Sequence, residues 1–351
     1  MMRALRLLNG PHDLGHGAIF WSGMAVLAAA FLAYPAIASA FTATNTAYYL
    51  LNIPMALGLS LLWGYGGVLS FGQIAFFGIA GYAYGIVAGN LQDVAWGTPI
   101  AVVAALVAAG ITAAVFGYFV FFGRVAAWIV PILTLVLALL LSTFLGLTAG
   151  YEWAVGQVQL GGYNGMTGIP ALQVGGLTFQ DYPFYYLVVG VTAVAYLALR
   201  VWVNAHRGQV LLAVREDALR TELLGYDVRL EQLRAFVIAA VLAGVSGVLY
   251  VQWGNYITPS SMGLQQAALP VIWVAVGGRD SLLAVVISTF LLNQLSYALS
   301  SAGNQSALVI IGALLVAVMM FAPDGIVVGI ARARWWRRRA RARAAEGAHG
   351  D

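Results

Sequence analysis

Long apolar stretches constrain this chain more than any other feature of its sequence. An α-helix needs roughly 20 apolar residues to cross a bilayer's hydrocarbon core. Only 9% of the 351 residues are charged, against about 25% in soluble domains, so lipid must solvate much of the chain. The sequence predicts an all-α, polytopic bundle of about 10 transmembrane helices, although the eighth stretch is short enough to be re-entrant. The stretches lie at about 17–39, 44–64, 67–89, 98–122, 126–148, 183–203, 235–253, 264–278, 281–300 and 306–329.

The basic residues predict how these spans are oriented. All seventeen are arginines, and all fall on one side of the ten-span topology. They precede the first stretch, recur after the fourth, sixth and eighth, and follow the last. The opposite loops, about 90–97, 149–182, 254–263 and 301–305, contain none. Because arginine-rich loops stay in the cytoplasm, the pattern predicts that both termini are cytoplasmic (N-in and C-in).

This topology divides the chain into three parts. They are a cytoplasmic N-terminal segment (1–16), a transmembrane domain (17–330) and a basic cytoplasmic tail (331–351). The Ala38-Ser39-Ala40 triplet resembles a signal-peptidase site, but the apolar stretch before it exceeds the usual 7–15 residues. We therefore expect the first span to be retained. The arginines and tryptophans of the tail favour contact with anionic lipid head groups over nucleic acid.

The residue content excludes several kinds of chemistry. Without cysteine, the chain has no thiolate nucleophile and no cysteine-ligated metal site. Without lysine, it has no P-loop. Carboxylates are almost absent from the spans, which disfavours a proton-coupled carrier. We expect neither cofactor nor metal on this chain and no enzymatic activity. If ATP drives the protein, a partner ATPase must bind the ATP and Mg²⁺.

A glycine-rich segment, residues 64–73, opens the third predicted span. One interpretation is close helix packing, which the small pair Gly81 and Gly85 further along the span would also favour. The other is an unwound helix start that lines a polar path. On this second interpretation, Ser70, Gln73 and Tyr82 are candidate path residues.

The longest outer loop, 149–182, is also polar and rich in glycine. Loops of this length in compact domains are usually functional or disordered, so this one either docks an external receptor or simply connects two spans. Its Asn164 and Thr167 complete our set of candidate path residues.

The inner segment 204–234 is the one long polar insertion between predicted spans. The pattern predicts a short amphipathic helix over 211–225, because Leu212, Leu219 and Leu223 recur near helical spacing. Glu216 could pair with Arg220 on this helix, and Gly225 suits its C-terminal cap. The helix is either a solvated connector or a docking element for an ATPase.

Four fragments together resemble a known family. They are LLWGYGGVLSFGQIAFFGIAGYAYG (61–85), GGYNGMTGIP (161–170), RGQVLLAVREDALRTELLGYDV (207–228) and VIWVAVGGRDSLL (271–283). In this order, they resemble the permease family of branched-chain amino acid ABC importers, which includes the similar urea and short-chain amide permeases. The resemblance runs from roughly residue 45 to residue 329.

The resemblance implies a function and a set of partners. The inner loop would contact cytoplasmic ATPase subunits, and alternating access would carry the solute inward across a bacterial inner membrane. A second homologous permease chain and an extracytoplasmic solute-binding protein would complete the assembly. The residues expected at the ATPase-coupling surface are Arg215, Glu216, Asp217, Leu219, Leu224 and Gly225.

Solute identity stays open at this stage. Uncharged spans suit a neutral or zwitterionic solute, such as a branched-chain amino acid, another amino acid, urea or a short amide. One alternative hypothesis is a passive facilitator for urea or a similar small polar solute. Another is an intramembrane enzyme, for which the sequence offers no catalytic constellation.

Overall fold

The computed structural model describes residues 7–301 and, beyond them, 309–310, 312–313, 316–317, 320, 322 and 325–329. The basic tail at 331–351 lies outside the described residues, as does nearly half of the tenth predicted span. Twelve α-helices are defined between residues 17 and 301 of this part of the chain. They are α1 Gly17–Ala33, α2 Ala40–Leu50, α3 Ile53–Leu59, α4 Gln73–Asn90, α5 Gly97–Phe122, α6 Val130–Gly146, α7 Asp181–Asn204, α8 His206–Glu216, α9 Ala218–Leu223, α10 Val228–Gly254, α11 Leu264–Gly277 and α12 Leu282–Ser301.

The prediction of a helical membrane bundle is confirmed. Within the described residues, six helical segments are long and apolar enough to cross a bilayer: Gly17–Ala36, Ala40–Tyr65, Gly97–Phe122, Asp181–Asn204, Val228–Gly254 and Leu282–Ser301. Helices α6 and α11 are apolar but shorter. At 1.5 Å per residue, the 14 residues of α11 extend about 21 Å, less than the roughly 30 Å hydrocarbon core. The count of ten spans therefore stays a prediction.

The second span changes its helical geometry along its length. Helix α2 ends at Leu50, α3 begins at Ile53, and a π-helix follows over Ser60–Tyr65. Pro54 lies in the first turn of α3, where proline's missing N–H costs no helical hydrogen bond. The joint between α2 and α3 places Asn52 inside the bundle, where it is buried.

The core of the bundle surrounds α3, all seven residues of which are buried. Helix α10 packs against α3, α4 and α5. On α5, Ala101, Ala105, Ala109 and Ala113 are fully buried. Their four-residue spacing places them on one side of the helix. Bulkier residues of α5, such as Val103 and Ile111, are more than half exposed, as expected of a surface that faces lipid.

The outer loop is folded onto the helices by short strands and 3₁₀ turns. Strands β1 Ala154–Val155, β2 Val158–Gln159, β3 Met166–Thr167, β4 Gln173–Val174, β5 Leu177–Thr178 and β6 Tyr256–Ile257 form three antiparallel pairs. Strand β3 pairs with β6, which follows α10. The Asn255 side chain donates to the Ile169 carbonyl at 2.9 Å, and the Leu172 N–H donates to Gln252 Oε1 at 2.6 Å. The loop is thus an ordered cover on α4 and α10.

Candidate functional site

A cavity of about 500 Å³ lies among α3, α4, α10, α11 and α12, beneath the turn that follows β6. Among the described residues, its lining contains no charged side chain. The apolar lining residues are Met55, Ile74, Phe77, Leu269 and Trp273, and the polar ones are Asn52, Tyr250, Tyr256, Thr258, Ser260, Ser261, Gln265, Gln266 and Asn293. Ligand pockets typically combine such apolar walls with a few polar groups that orient the bound molecule.

Two asparagines from different spans meet at this cavity. Asn52 Nδ2 donates to Asn293 Oδ1 at 3.2 Å, and Asn293 Nδ2 donates to the Thr289 carbonyl at 2.8 Å. Both side chains are buried. An unpaired polar group would be costly at this depth, so the pair stabilises the contact between the second span and α12. It also offers amide groups to a polar solute.

Hydroxyl groups line another part of the cavity. Thr258 Oγ1 lies 2.8 Å from Ser260 Oγ and 3.2 Å from Ser261 Oγ. The Tyr250 hydroxyl donates to the Tyr256 hydroxyl at 3.1 Å. Hydroxyls both donate and accept hydrogen bonds. The lining can therefore bind a solute that carries donors and acceptors, while its apolar wall accommodates an aliphatic part.

The path residues suggested by the sequence lie elsewhere. Ser70, Gln73 and Tyr82 are buried, but none of them lines this cavity. Ser70 Oγ accepts from the Gly72 N–H at 3.1 Å and so closes the turn before α4. Within the described part of the chain, the buried side-chain amide atoms of Gln73 and the buried Tyr82 hydroxyl have no hydrogen-bond partner.

The two outer-loop candidates also lie away from this cavity. Asn164 and Thr167 are exposed on the outer loop, where Thr167 lines a separate pocket of about 350 Å³. A role in the path stays a prediction for all five candidates. Sequence reasoning missed Asn52 and Asn293, although an isolated asparagine within an apolar span was an available signal.

The glycine-rich segment has the expected unwound start, because residues 66–71 between the π-helix and α4 are not helical. Its glycines allow a close approach of other parts of the chain. A Cβ on Gly64 would lie 1.8 Å from the Arg279 carbonyl oxygen. Gly67 has a φ of +73°, and a Cβ there would lie 2.9 Å from Arg215 Cγ. The segment therefore packs closely against the α11–α12 turn and helix α8.

The cytoplasmic helix predicted over 211–225 is two helices, which corrects the sequence interpretation. Asp217 adopts an extended conformation, with φ −158° and ψ 99°, between α8 and α9. Its carboxylate accepts from the Arg220 N–H at 3.0 Å and thereby caps α9. The expected Glu216–Arg220 pair is absent among these described residues, since Glu216 pairs with Arg215 and Arg220 with Asp217.

Helices α8 and α9 differ in what they bury. Helix α8 buries Leu211 and Val214, whereas α9 and its C-terminal turn expose Leu219, Leu223 and Leu224 by 68%, 80% and 75%. Leu212 lies on α8, whereas Leu219 and Leu223 lie on α9, so these leucines do not share one side of a single helix as the pattern predicted. Leu219, Leu223 and Leu224 instead form an exposed tip at the end of α9.

Gly225 ends α9 as the sequence predicted. It has a φ of +90°, its N–H donates to the Glu222 carbonyl at 2.9 Å, and the Tyr226 N–H donates to the Thr221 carbonyl at 3.4 Å. These two bonds form a Schellman motif. The cap fixes the direction in which the chain leaves the tip formed by Leu219, Leu223 and Leu224, which we call the leucine tip.

Comparison with known proteins identifies the family. A family model described as "Branched-chain amino acid transport system / permease component" matches residues 39–319. The chain is 26% identical over 340 residues to the high-affinity branched-chain amino acid transport system permease protein LivM of Escherichia coli, an alignment that covers 88% of this chain and 74% of that protein. It is 25% identical to LivM of Salmonella typhimurium, with the same coverage. No solved structure was found to match the chain.

These matches and the apolar helices agree with the interpretation of the four sequence fragments. Permease components of this kind carry out transport and not catalysis. Together with these relatives, the six membrane-length helices within the described residues support a multi-pass protein of the bacterial inner membrane. The chain belongs to the family of permease components of branched-chain amino acid transport systems.

Proposed function

We propose that this chain moves a small zwitterionic solute, a branched-chain amino acid, inward by alternating access driven by a separately encoded ATPase. The leucine tip carries the ATPase part of this proposal. Leu219, Leu223 and Leu224 are exposed on a short helix, and exposed apolar clusters usually mark protein contacts. The chain has no lysine for a P-loop, so ATP and Mg²⁺ would bind to the partner.

The contacts of the N-terminal segment support a cytoplasmic location for the tip. The N-terminal segment contacts the α11–α12 turn through Asp13 and Ser281, and this turn contacts α8 through Asp280 and Arg215. The N-terminal segment therefore lies on the same side of the bundle as α8 and α9. This agrees with the N-in, C-in topology of about ten spans that the arginines predict.

The cavity between Asn52 and Trp273 supports the solute part of the proposal. Its polar groups are uncharged, and its wall includes Met55, Ile74 and Leu269. A zwitterion with an aliphatic side chain matches both parts of this lining. Urea would use the polar groups alone, which leaves the apolar wall without a ligand group to contact.

Alternating access would need further subunits. Packed helices shift as rigid bodies between alternative arrangements, so an ATPase that moves the leucine tip could move the spans connected to it. We further propose a second homologous permease chain beside this one and an extracytoplasmic solute-binding protein docked on the outer loop, residues 149–182.

Reconstitution tests the proposal directly. Proteoliposomes should contain this chain with its companion permease and ATPase subunits, loaded binding protein outside, and radiolabelled leucine as the probe. We expect leucine uptake that requires ATP on the ATPase side and competition by isoleucine and valine. Flux of urea through this chain alone, without ATP, would contradict the proposal and favour a passive facilitator.

A further inference from the structure

A buried ion pair joins the N-terminal segment to α7, away from the solute cavity. The Arg200 guanidinium and the Asp13 carboxylate lie 2.9 Å apart, and both side chains are fully buried. Buried ion pairs contribute little net stability because both charges lose their hydration. Such a pair is therefore better explained by a need to fix two segments in one arrangement.

The N-terminal segment wraps around the Arg200 guanidinium. Arg200 Nε donates to the Leu8 carbonyl at 2.7 Å, and Nη1 donates to the Leu14 carbonyl at 3.1 Å. Nη2 donates to the Gly15 carbonyl. The guanidinium carbon also lies 4.8 Å from the centre of the Phe20 ring, within the range of a cation–π contact. These contacts fix the segment at the end of α7.

Asp13 extends the connection to the start of α12. Its Oδ1 accepts from Ser281 Oγ at 2.9 Å and from the Leu283 N–H at 3.3 Å. The Tyr65 hydroxyl, at the end of the π-helix, lies 2.6 Å from the His12 carbonyl oxygen and 3.3 Å from that of Asp280. The N-terminal segment thus ties together α7, the second span and α12.

The same group of residues holds the cytoplasmic helix α8. Arg215 Nη1 donates to Asp280 Oδ1 at 2.8 Å, and the same nitrogen donates to the Gly64 carbonyl beside Tyr65. A cavity of about 220 Å³ lies between Arg215, Asp13 and Tyr65. The helix that leads to the leucine tip therefore meets the membrane helices through these contacts.

The two helical segments that carry Asn52 and Asn293 each have one end beside the contacts of Asp13, Tyr65 and Ser281. The second span, Ala40–Tyr65, contains Asn52 and ends at Tyr65, whereas α12 begins at Leu282 and contains Asn293. At 1.5 Å per helical residue, the two ends lie roughly 15–20 Å from the solute cavity. A displacement of these ends would be carried to the cavity by two continuous helical segments.

We propose that Asp13, Tyr65, Arg200, Asp280 and Ser281 form a clamp that positions α8 against the two helices of the solute cavity. Asp13, Tyr65 and Arg200 are then positioning residues for the coupling of ATP hydrolysis to transport. This inference rests on the proposed function, because it assumes that an ATPase acts at the leucine tip. The clamp gives the N-terminal segment a role in coupling, which docking of the ATPase on the leucine tip would not by itself require.

Two clamp variants and one matched control test this role. Tyr65→Phe removes a hydroxyl from the clamp, and Asp13→Asn removes the charge of the ion pair. Tyr185→Phe is the control, because the Tyr185 hydroxyl donates to the Phe31 carbonyl at 2.8 Å and this side chain is as deeply buried as Tyr65. The readout is the number of leucine molecules transported per ATP hydrolysed, in proteoliposomes with equal amounts of assembled complex.

We expect the leucine-to-ATP ratio to fall at least threefold for Tyr65→Phe and at least tenfold for Asp13→Asn, with no change for Tyr185→Phe. A merely structural role would reduce the amount of assembled complex and leave the ratio unchanged. An unchanged ratio in Tyr65→Phe would therefore overturn the clamp, even if Asp13→Asn fails to assemble. Loss of ATPase association in Tyr65→Phe would also overturn it, because the residue would then act in docking.

The outcomes separate this inference from the proposed function. No ATP-driven leucine uptake by the unmodified complex would contradict the proposed function itself. Normal uptake with an unchanged ratio in Tyr65→Phe would leave the proposed function intact and contradict the clamp alone.

Discussion

The Arg215 guanidinium lies 2.8 Å from the Asp280 carboxylate and so joins helix α8 to the turn between α11 and α12. Arg215 also donates to the Gly64 carbonyl, close to the end of the second span. One side chain therefore connects the segment expected to receive an ATPase with two membrane segments. This connection is the structural basis of the coupling that we propose.

The Arg215–Asp280 pair should contribute modestly to stability, because both side chains are partly exposed. Pairs of this kind are worth about 0.2–1 kcal/mol. We expect Arg215→Gln to lower the melting temperature in detergent more than Asp280→Asn, since only the first change also leaves the Gly64 carbonyl unpaired. The double variant should lower the melting temperature by less than the sum of the two single decreases. Fully additive losses would contradict a direct interaction.

The asparagine pair should affect solute binding. Asn293→Leu removes the acceptor for Asn52 Nδ2, and an unsatisfied buried group costs about 1–3 kcal/mol. We expect the KM for leucine uptake to rise at least tenfold. Asn45→Leu is a matched control, because Asn45 lies at an exposed contact with Tyr297 outside the cavity. Equal KM values for the two variants would contradict a cavity that binds the solute.

Substitution by alanine should have opposite effects on folding at two glycines. At Gly64 the new Cβ would lie 1.8 Å from the Arg279 carbonyl oxygen, so the α11–α12 turn would have to move. We expect Gly64→Ala to abolish recovery of folded protein, as judged by a monodisperse elution profile in detergent. Gly190 lies within α7, and no described atom beyond its chain neighbours and its own helix backbone lies within 4 Å of the added Cβ. Gly190→Ala should fold normally and gain up to about 1 kcal/mol of helix stability.

The difference in folding between Gly64→Ala and Gly190→Ala tests whether the close approach at Gly64 requires glycine. A stable Gly64→Ala protein with full uptake would show that the turn can move away. The close approach at Gly64 would then not require glycine.

Orientation can be tested by thiol labelling, because the natural chain contains no cysteine. Leu223→Cys places one thiol on the leucine tip, and Leu177→Cys places one at an exposed site on the outer loop. A membrane-impermeant maleimide should label Leu177→Cys in intact spheroplasts and Leu223→Cys only in inside-out vesicles. The reverse pattern would contradict the N-in, C-in topology.

Local patterns explain which parts of the fold could be predicted from the sequence. Apolar length predicted the helical membrane bundle, and Gly225 predicted the end of α9. The glycine-rich run allowed two interpretations, close packing and an unwound start before α4, and did not decide between them. These features depend on residues that are close together in the chain. The break at Asp217 also has a local cause, but aspartate occurs both in helices and at their caps, so periodicity alone placed it inside a single helix.

The long-range contacts could not be predicted in this way. Asn52 and Asn293 are 241 positions apart, and Asp13 and Arg200 are 187 positions apart. Periodicity within one helix carries no information about which distant span supplies the partner. The candidate path residues chosen from the sequence therefore missed the asparagine pair and the hydroxyl groups near Thr258. The clamp likewise became visible only from the packed structure.

The leucine tip is the part of the molecule on which the proposed ATP-driven transport depends most. Leu223→Asp places a charge on a residue that is 80% exposed, so the chain itself should fold normally. Leu177→Asp is the matched control, because it makes the same change on the outer loop. Desolvating an unpaired carboxylate at a protein contact is strongly unfavourable, so only the first change should prevent the ATPase from binding.

The most direct measurement is the amount of ATPase that co-purifies with each variant, together with ATP-driven leucine uptake. We predict that Leu223→Asp loses at least nine-tenths of both, while Leu177→Asp retains full ATPase association. Undiminished association and uptake in Leu223→Asp would contradict the proposal that the ATPase docks on this tip.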